Sequence, residues 1–348
     1  MSTEAKIMVQ KKHLTLKDIA KELGVSTATV SLAINNSSLV AEKTRLLVLS
    51  KIKEVGYVYN RRAASLITGK SGMVGLAVHD FTNPYFTEVC ASAEKTLAQE
   101  GRMSLLCNSH ESLALQERFI NALIEHNSDG LLLCPVVGTE VAQLQPLLTR
   151  GLPTVLVTRD VEGANMDFVG NDERYSLHLA TRHLINLGHK RIAFVGGNLD
   201  AKAARDRRSG YVDALKLNNL PFDEGLLFDC ENSSEAAEKI LPDILSIDSP
   251  PTAIVGFSDL IALGVISGLI ELGLQPGKDI AVVGCDNISE SSRHYSQLTT
   301  VNVQKSQIGQ MAATFLFQRL LNPQMPPQRK IFESELVIRR SCGAYLAS

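Results

Sequence analysis

The stretch that most constrains the fold spans residues 15–35 and reads TLKDIAKELGVSTATVSLAIN. Apolar residues recur at helical spacing on both sides of Gly24, which indicates two short helices joined by a tight turn. Gly24 suits the turn because a residue without a Cβ adopts positive φ at little cost. Thr15 and Asp18 form a capping-box pattern for the first helix, and Ser26 can cap the second. These features predict a helix-turn-helix, whose second helix fits the DNA major groove.

The outer face of the second helix favours DNA over solvent as its neighbour. Apolar spacing alone would favour an ordinary helical hairpin. However, a solvated helix face is normally rich in lysine and glutamate, whereas this face carries Ser26, Thr27, Thr29 and Ser31. Short hydroxyl side chains let the backbone approach phosphates and base edges closely.

The charge of the chain is unevenly distributed. The overall charge is −2, but residues 1–70 contain 12 basic and 5 acidic residues, a net charge of +7, and the remainder has a net charge of −9. A small basic module on a large acidic body suits a protein that binds phosphate at one end.

Two further helices are predicted after the helix-turn-helix. A third helix spans residues 42–55. A short helix over residues 60–69 would order only when bound to DNA, and a plain linker is the alternative for this segment.

Composition limits the remaining possibilities. A chain of 348 residues is too long for one core and predicts two or three domains. Its six cysteines are widely spaced, which predicts no metal site and indicates a reducing compartment, hence the cytoplasm. The sequence begins without the apolar run of a signal peptide and has no apolar stretch of membrane-spanning length, so we expect no membrane contact and no cofactor.

From residue 72 onward, short β-rich runs alternate with helical stretches. This alternation predicts parallel sheets built from right-handed crossovers, and there are too many strands for one sheet. The predicted strands are 73–78, 103–106, 130–134, 154–157, 191–195, 253–256, 280–283, 299–303 and a late run over 331–338. Helical stretches are predicted between most of these strands, such as 85–100, 115–127, 173–187, 209–218, 260–272 and 307–321.

With these residues in view, the chain resembles the lactose-repressor/galactose-repressor family of bacterial transcription regulators over essentially its whole length. Besides residues 15–35, the resemblance rests on Asn83-Pro-Tyr-Phe, Arg207-Arg-Ser-Gly-Tyr, Asp259-Leu-Ile-Ala-Leu-Gly and Gly284-Cys-Asp. The TVSL run of the second helix and Gly101-Arg-Met resemble the maltose-regulon repressor subgroup.

The resemblance implies a small all-α helix-turn-helix headpiece followed by an α/β body of the periplasmic-binding-protein type, with two doubly wound parallel-sheet lobes and a ligand cleft between them. The implied boundaries are 1–59 for the headpiece, 60–71 for the hinge and 72–348 for the effector-binding and dimerisation domain. The N-lobe would contain 72–167 and 299–329, and the C-lobe 170–296 and 332–348. Crossovers between the lobes would lie near 167–169, 286–296 and 330–332.

The resemblance also assigns DNA-binding roles. Thr27 and Ala28 would face base edges, and Leu66 would be a wedge inserted between base steps, although a core residue at helical spacing is the alternative. Leu32 stands where many members carry arginine, so a bidentate guanine contact is absent. Ala41 replaces the usual serine cap of the third helix. The complete set of implied DNA-binding residues is Thr15, Ser26, Thr27, Ala28, Thr29, Ser31, Leu32, Asn35, Thr44, Tyr57, Asn60, Ala63 and Leu66.

The implied effector site centres on Arg207 and Asp286, since an arginine fork and a carboxylate can read vicinal hydroxyls or a ligand carboxylate. Thr158 replaces an aspartate that is common in sugar binders. The effector would be a sugar or sugar derivative, with a nucleobase or small acid as the alternative. The complete set is Asp80, Asn83, Tyr85, Phe86, Thr158, Arg159, Asp172, Arg207, Ser258 and Asp286.

The expected mechanism couples cleft closure to operator affinity, with induction and co-repression both open. The expected partners are a pseudopalindromic DNA operator, the effector and a second copy of the chain. Ser341–Ser348 is too short for a coiled-coil tail that would make a tetramer. An enzyme is disfavoured because Gly196-Gly197 is followed by no GxGxxG, and no P-loop or GxSxG occurs. A sugar sensor without a DNA role is disfavoured by the basic headpiece.

Overall fold

The computed structural model describes residues 14–34, 36–58, 70–197 and 199–346, and the chain divides into two units between Gly69 and Lys70. The first unit contains helices α1 (Leu16–Leu23), α2 (Thr27–Ile34) and α3 (Glu42–Val55). Its core is small and includes Ile19, Val30 and Val48, each almost fully buried. The helices are short, so packing of these apolar side chains supplies most of their stability.

The second unit, the body, alternates strands and helices, as the sequence predicts. In chain order, its described strands are β1 (Met73–Val78), β2 (Met103–Asn108), β3 (Gly130–Leu133), β4 (Thr154–Val157), β5 (Asp167–Asn171), β6 (Ile192–Val195), β7 (Leu227–Phe228), β8 (Ala253–Gly256), β9 (Ala281–Asp286), β10 (Thr299–Asn302), β11 (Arg329–Phe332) and β12 (Glu335–Val337). Its described α-helices are α4 (Pro84–Gln99), α5 (Leu113–Glu125), α6 (Val141–Arg150), α7 (Glu173–Asn186), α8 (Lys202–Leu217), α9 (Ser234–Ser246), α10 (Asp259–Glu271) and α11 (Lys305–Leu321).

The strands form two six-stranded sheets, which define the first and second lobes. The first sheet has the order β11-β5-β4-β3-β1-β2 and is parallel throughout. The second has the order β12-β10-β9-β8-β6-β7, and only β12 runs antiparallel. Strands β3, β4 and β8 are buried along their whole length, as expected where helices cover both faces. The two doubly wound lobes confirm the predicted fold class.

The lobe boundaries drawn from the sequence need correction. The resemblance places residues 299–329 in the N-lobe, but residues 299–302 pair in parallel with β9, so β10 belongs to the second sheet. The segment 286–296 is therefore not a crossover between lobes; it belongs to the connection between neighbouring parallel strands, which needs about a dozen residues. The chain instead passes between lobes at Asp172, at residues 303–304 and at residues 333–334.

The passage between lobes also explains one wrong strand. The sequence predicts one strand over residues 331–338, but this run divides into β11 in the first sheet and β12 in the second.

Among the described residues, no helix combines the length and the apolar character needed to traverse a bilayer.

Candidate DNA-binding surface and effector cleft

The turn between α1 and α2 forms as the sequence predicts. The backbone N–H of Thr15 donates to Asp18 Oδ2 at 2.9 Å, and the N–H of Asp18 donates to Thr15 Oγ1 at 3.4 Å, which completes the capping box. Gly24 has φ 64° and ends α1 in the left-handed conformation. Ser26 Oγ accepts the backbone N–H of Thr29 at 3.0 Å and so caps α2.

Helix α2 presents the predicted contact face. Val30 and Ala33 are buried against α1 and α3, which fixes the rotation of the helix about its axis. The opposite side leaves Thr27 and Ala28 exposed at the first turn, and Leu32 is 36 % exposed one turn later. A rigid helix with small exposed side chains at its N-terminus has the shape needed to approach base edges.

The other implied DNA-binding residues lie in varied places. Ser31 and Thr44 are partly exposed on α2 and α3, and Tyr57 packs against the headpiece core. Ala41 makes no side-chain cap for α3, as expected from the sequence. Predicted residues that lie outside the described part of the chain are Asn35, Asn60, Ala63 and Leu66.

In the body, Arg207 is the centre of a buried charge cluster that belongs to the second lobe. Its Nε donates to Glu173 Oε2 at 2.6 Å, and its Nη2 donates to Asp286 Oδ1 at 3.1 Å. Its Nη1 donates to the carbonyl of Phe257, whose ring lies 4.7 Å from the guanidinium carbon. Arg207 is only 5 % exposed, and its buried guanidinium is held by partners on three sides.

Asp286 is both buried and conformationally strained. Burial raises the pKa of its carboxyl to about 7, although the Arg207 charge favours the ionised form. Its φ is 126° and that of Asn287 is 52°, values that L-residues rarely adopt. Lys305, at the start of α11, donates to the carbonyls of both residues and lies 3.5 Å from Glu88 of α4. Lys305, which directly follows the crossover at residues 303–304, therefore holds the strained turn that carries the Asp286 carboxylate.

The first lobe contributes a different cluster, built around Arg159. Its guanidinium lies 2.7 Å from Glu111 and 3.2 Å from His79 Nε2. Burial, reinforced by the Arg159 charge, lowers the pKa of His79 to about 3. Thr158, next in the chain, has φ 63° and a hydroxyl 3.0 Å from the Cys134 thiol.

A cavity of about 410 Å³ lies beside both clusters at the carboxyl ends of the first sheet. Its lining combines Thr158, Arg159 and Asn171 of the first lobe with Asp172 at the crossover and Glu173 of the second lobe. Asp172 also caps α7 by accepting the Tyr175 N–H at 2.9 Å. Open α/β sheets bind ligands at this edge, so this cavity is the candidate effector cleft.

Seven predicted effector residues are not among the described residues lining this cavity: Asp80, Asn83, Tyr85, Phe86, Arg207, Ser258 and Asp286. Arg207 and Asp286 lie behind its wall, where Arg207 holds the lining residue Glu173. Asp80 accepts the backbone N–H of Thr82, and Asn83 and Ser258 cap α4 and α10. Tyr85 and Phe86 are buried side by side, with ring centroids 4.9 Å apart.

Sequence reasoning missed the partners of the predicted residues. Glu173 bonds to Arg207, Phe257 lies against it, and Glu111 and His79 hold Arg159. Glu173 directly follows the predicted Asp172, and Phe257 directly precedes Ser258, so adjacency was the available signal. No group of side chains suited to hold a metal ion occurs in the described part of the chain.

Two family models match the two units. Residues 15–60 match the bacterial regulatory proteins of the lacI family, and residues 181–342 match a periplasmic binding protein-like domain. The chain is 34 % identical over 332 residues to the HTH-type transcriptional repressor PurR of Actinobacillus pleuropneumoniae serotype 3 (strain JL03), with coverage of 94 % of this chain and 98 % of the relative.

Solved structures give the same result. The lac repressor dimer bound to operator and the anti-inducer ONPF is 25 % identical, with a TM-score of 0.83 and coverage of 96 % of this chain and 100 % of that chain. The complex of the transcriptional regulator CelR with cellobiose is 28 % identical, with a TM-score of 0.71 and coverage of 94 % and 99 %. The chain belongs to the lacI family of bacterial regulatory proteins.

Proposed function

We propose that this protein is a transcriptional repressor that binds a pseudopalindromic operator as a homodimer and that an effector in the interlobe cleft controls its affinity for DNA. The observation that carries the proposal is the joining, in one chain, of a capped helix-turn-helix to a two-lobed body whose cleft is lined by Glu173, which the buried Arg207–Asp286 pair holds from behind. The protein would act in the cytoplasm, by binding rather than by catalysis.

At the DNA end, the exposed first turn of α2 would read base edges through Thr27 and Ala28. Leu32 would favour thymine methyl contacts and shape readout over a guanine contact. Leu66 would kink the duplex from the minor groove, and unstacking would be offset by the contacts that bent DNA allows.

At the effector end, a sugar or sugar derivative is the first candidate, supported by the similarity to the CelR–cellobiose complex. A nucleobase or a small acid is the second, favoured by Thr158 and Arg159 in the cleft wall where many sugar binders carry an aspartate. The effector would change the arrangement of the lobes and, through the dimer and the hinge, the affinity for the operator.

The homodimer has a physical basis in the first lobe. Strand β2 is at the edge of the first sheet, and its Met103 and Leu106 are 67 % and 59 % exposed. Edge strands with exposed apolar side chains favour association with another chain. A second copy of the protein would cover this edge.

The test is selection of operator fragments from genomic DNA by the full-length protein, followed by titration. We expect a two-fold symmetric consensus bound at least about 10³-fold more tightly than random DNA at physiological salt. The Leu66→Ala variant should lose this preference but retain salt-sensitive binding to random DNA. Absence of any symmetric consensus would refute the proposed function.

A further inference from the structure

The described lining of the cleft includes a buried side chain whose polar atoms have no hydrogen-bond partner in the fold. Asn171 is the last residue of β5 and is 7 % exposed. Neither its Oδ1 nor its Nδ2 has a hydrogen-bond partner among the described residues, although both atoms are buried. Buried amide groups are almost always hydrogen-bonded in folded proteins, because desolvating them without a partner is costly.

The position of Asn171 connects it to the cavity rather than to the core. Asn171 lines the 410 Å³ cavity together with Thr158 and Arg159, and it immediately precedes the crossover to the second lobe. Its neighbour Asp172 caps α7, and Glu173 is held by Arg207, so both adjacent carboxylates are already engaged. The Asn171 carboxamide is therefore a buried polar group that the fold leaves uncommitted beside the cavity.

We propose that Asn171 is a specificity-determining residue of the effector site, whose carboxamide pairs with a hydrogen-bond donor and an acceptor on adjacent atoms of the effector. This inference rests on the proposed function of the cleft and deepens it. A carboxamide presents an NH₂ donor beside a carbonyl acceptor in one plane. Two kinds of compound present the complement: the edge of a nucleobase, which asparagine pairs with in DNA recognition, and the vicinal hydroxyls of a sugar.

The apo protein gives the first test. Asn171→Leu replaces the carboxamide by an apolar group of similar size and removes the cost of burying it unpaired. We expect the melting temperature of the full-length protein to rise by about 2–4 °C. If Asn171 only supported the fold, the same change would lower the melting temperature, and that result would overturn the proposal.

Effector binding gives the second test, with calorimetric titration of the full-length protein by hypoxanthine, guanine, ribose, glucose and cellobiose. A compound that binds the wild type should bind Asn171→Leu at least about tenfold more weakly. Loss of affinity together with gain of stability is the signature of a ligand-reading group. Equal affinity of wild type and variant would overturn the proposal.

A third variant, Asn171→Asp, distinguishes the two sources of the donor–acceptor pair. Both hydroxyls of a diol can donate to a carboxylate, so sugar binding should be retained or strengthened. The O6/N1–H edge of hypoxanthine keeps its acceptor, which the carboxylate would repel, so hypoxanthine binding should fall at least about tenfold. Either pattern supports the proposal, whereas unchanged binding of hypoxanthine by Asn171→Asp would contradict it.

Ser128→Ala is the matched control. Ser128 Oγ is also buried without a hydrogen-bond partner, but it precedes β3, at the amino-terminal edge of the first sheet. Ser128→Ala should leave the affinity for every probe unchanged. If none of the compounds binds the wild type, the proposed chemistry of Asn171 is wrong, while selective operator binding would still support the proposed function.

Discussion

The two lobes hold buried charge beside the cleft in different ways. On the second lobe, Arg207 is engaged by two carboxylates, a carbonyl and a ring, and the side chains of its carboxylate partners are at most 11 % exposed. On the first lobe, Arg159 shares Glu111 with His79, and the Glu111 side chain is 38 % exposed. We call the second-lobe side of the cleft, with Arg207, the fixed wall, and the first-lobe side, with Arg159, the adaptable wall. A carboxylate that reaches solvent can exchange its partner at little cost, whereas a fully buried one cannot.

Among the substitutions that test this comparison, Arg207→Met should have the largest effect on stability. The substitution leaves Glu173 and Asp286 buried without their shared counter-charge. We expect the free energy of unfolding of the body to fall by about 3–5 kcal/mol, measured by urea denaturation. The neighbouring Arg208→Met should cost less than about 1 kcal/mol. Similar losses for the two variants would contradict the idea of a fixed wall.

Asp286→Asn probes the same wall through pH. In the folded protein the pKa of Asp286 is raised from 3.8 to about 7, so between these pH values the folded state holds a proton that the unfolded chain has released. Its contribution to the free energy of unfolding is therefore greatest at low pH and is lost as pH rises towards 7. The difference between wild type and Asp286→Asn in urea denaturation should show this slope, and a pH-independent difference would refute it.

His79→Gln should reveal the opposite slope on the adaptable wall. The pKa of His79 is lowered from 6.5 to about 3, so between these values the unfolded chain binds a proton that the folded state excludes. The contribution of His79 is complete above pH 6.5 and is lost as pH falls towards 3. In the wild type, the loss of stability that Asp286 causes as pH rises is partly cancelled by the gain that His79 causes. We therefore expect the free energy of unfolding of His79→Gln to fall more steeply than that of the wild type as pH rises from 4 to 6.5.

Arg159→Met should have the smallest effect on stability. Its partner Glu111 reaches solvent, so we expect a loss below about 1 kcal/mol. The same substitution removes a charge that opposes protonation of His79, and the pKa of His79 should rise. NMR titration of the histidine signals checks the second effect. A loss of stability as large as that of Arg207→Met would remove the difference between the walls.

Local features of this protein could be predicted from the sequence, and long-range features could not. The caps by Thr15 and Ser26 and the turn at Gly24 depend on residues within a few positions of each other. Arg207 and Asp286 are 79 residues apart, and only the family resemblance brought them together before the fold was known.

The missed elements have physical reasons. Helices α6 and α9 contain Pro146 and Pro242, and an interior proline normally argues against a helix. Strand β7 has two residues, too few for a periodic pattern. Asn171 escaped notice because nothing in a sequence marks a buried amide as unpaired.

The central claim is that binding of the operator and binding of the effector to this protein affect each other's affinity. It is tested most directly by titrating labelled operator with full-length protein, with and without a saturating amount of a compound that calorimetry shows to bind the cleft. We expect the operator Kd to change by about 5–150-fold, and the Kd of the compound to change by the same factor when operator is present. An operator Kd that stays the same while the compound is bound would contradict the account.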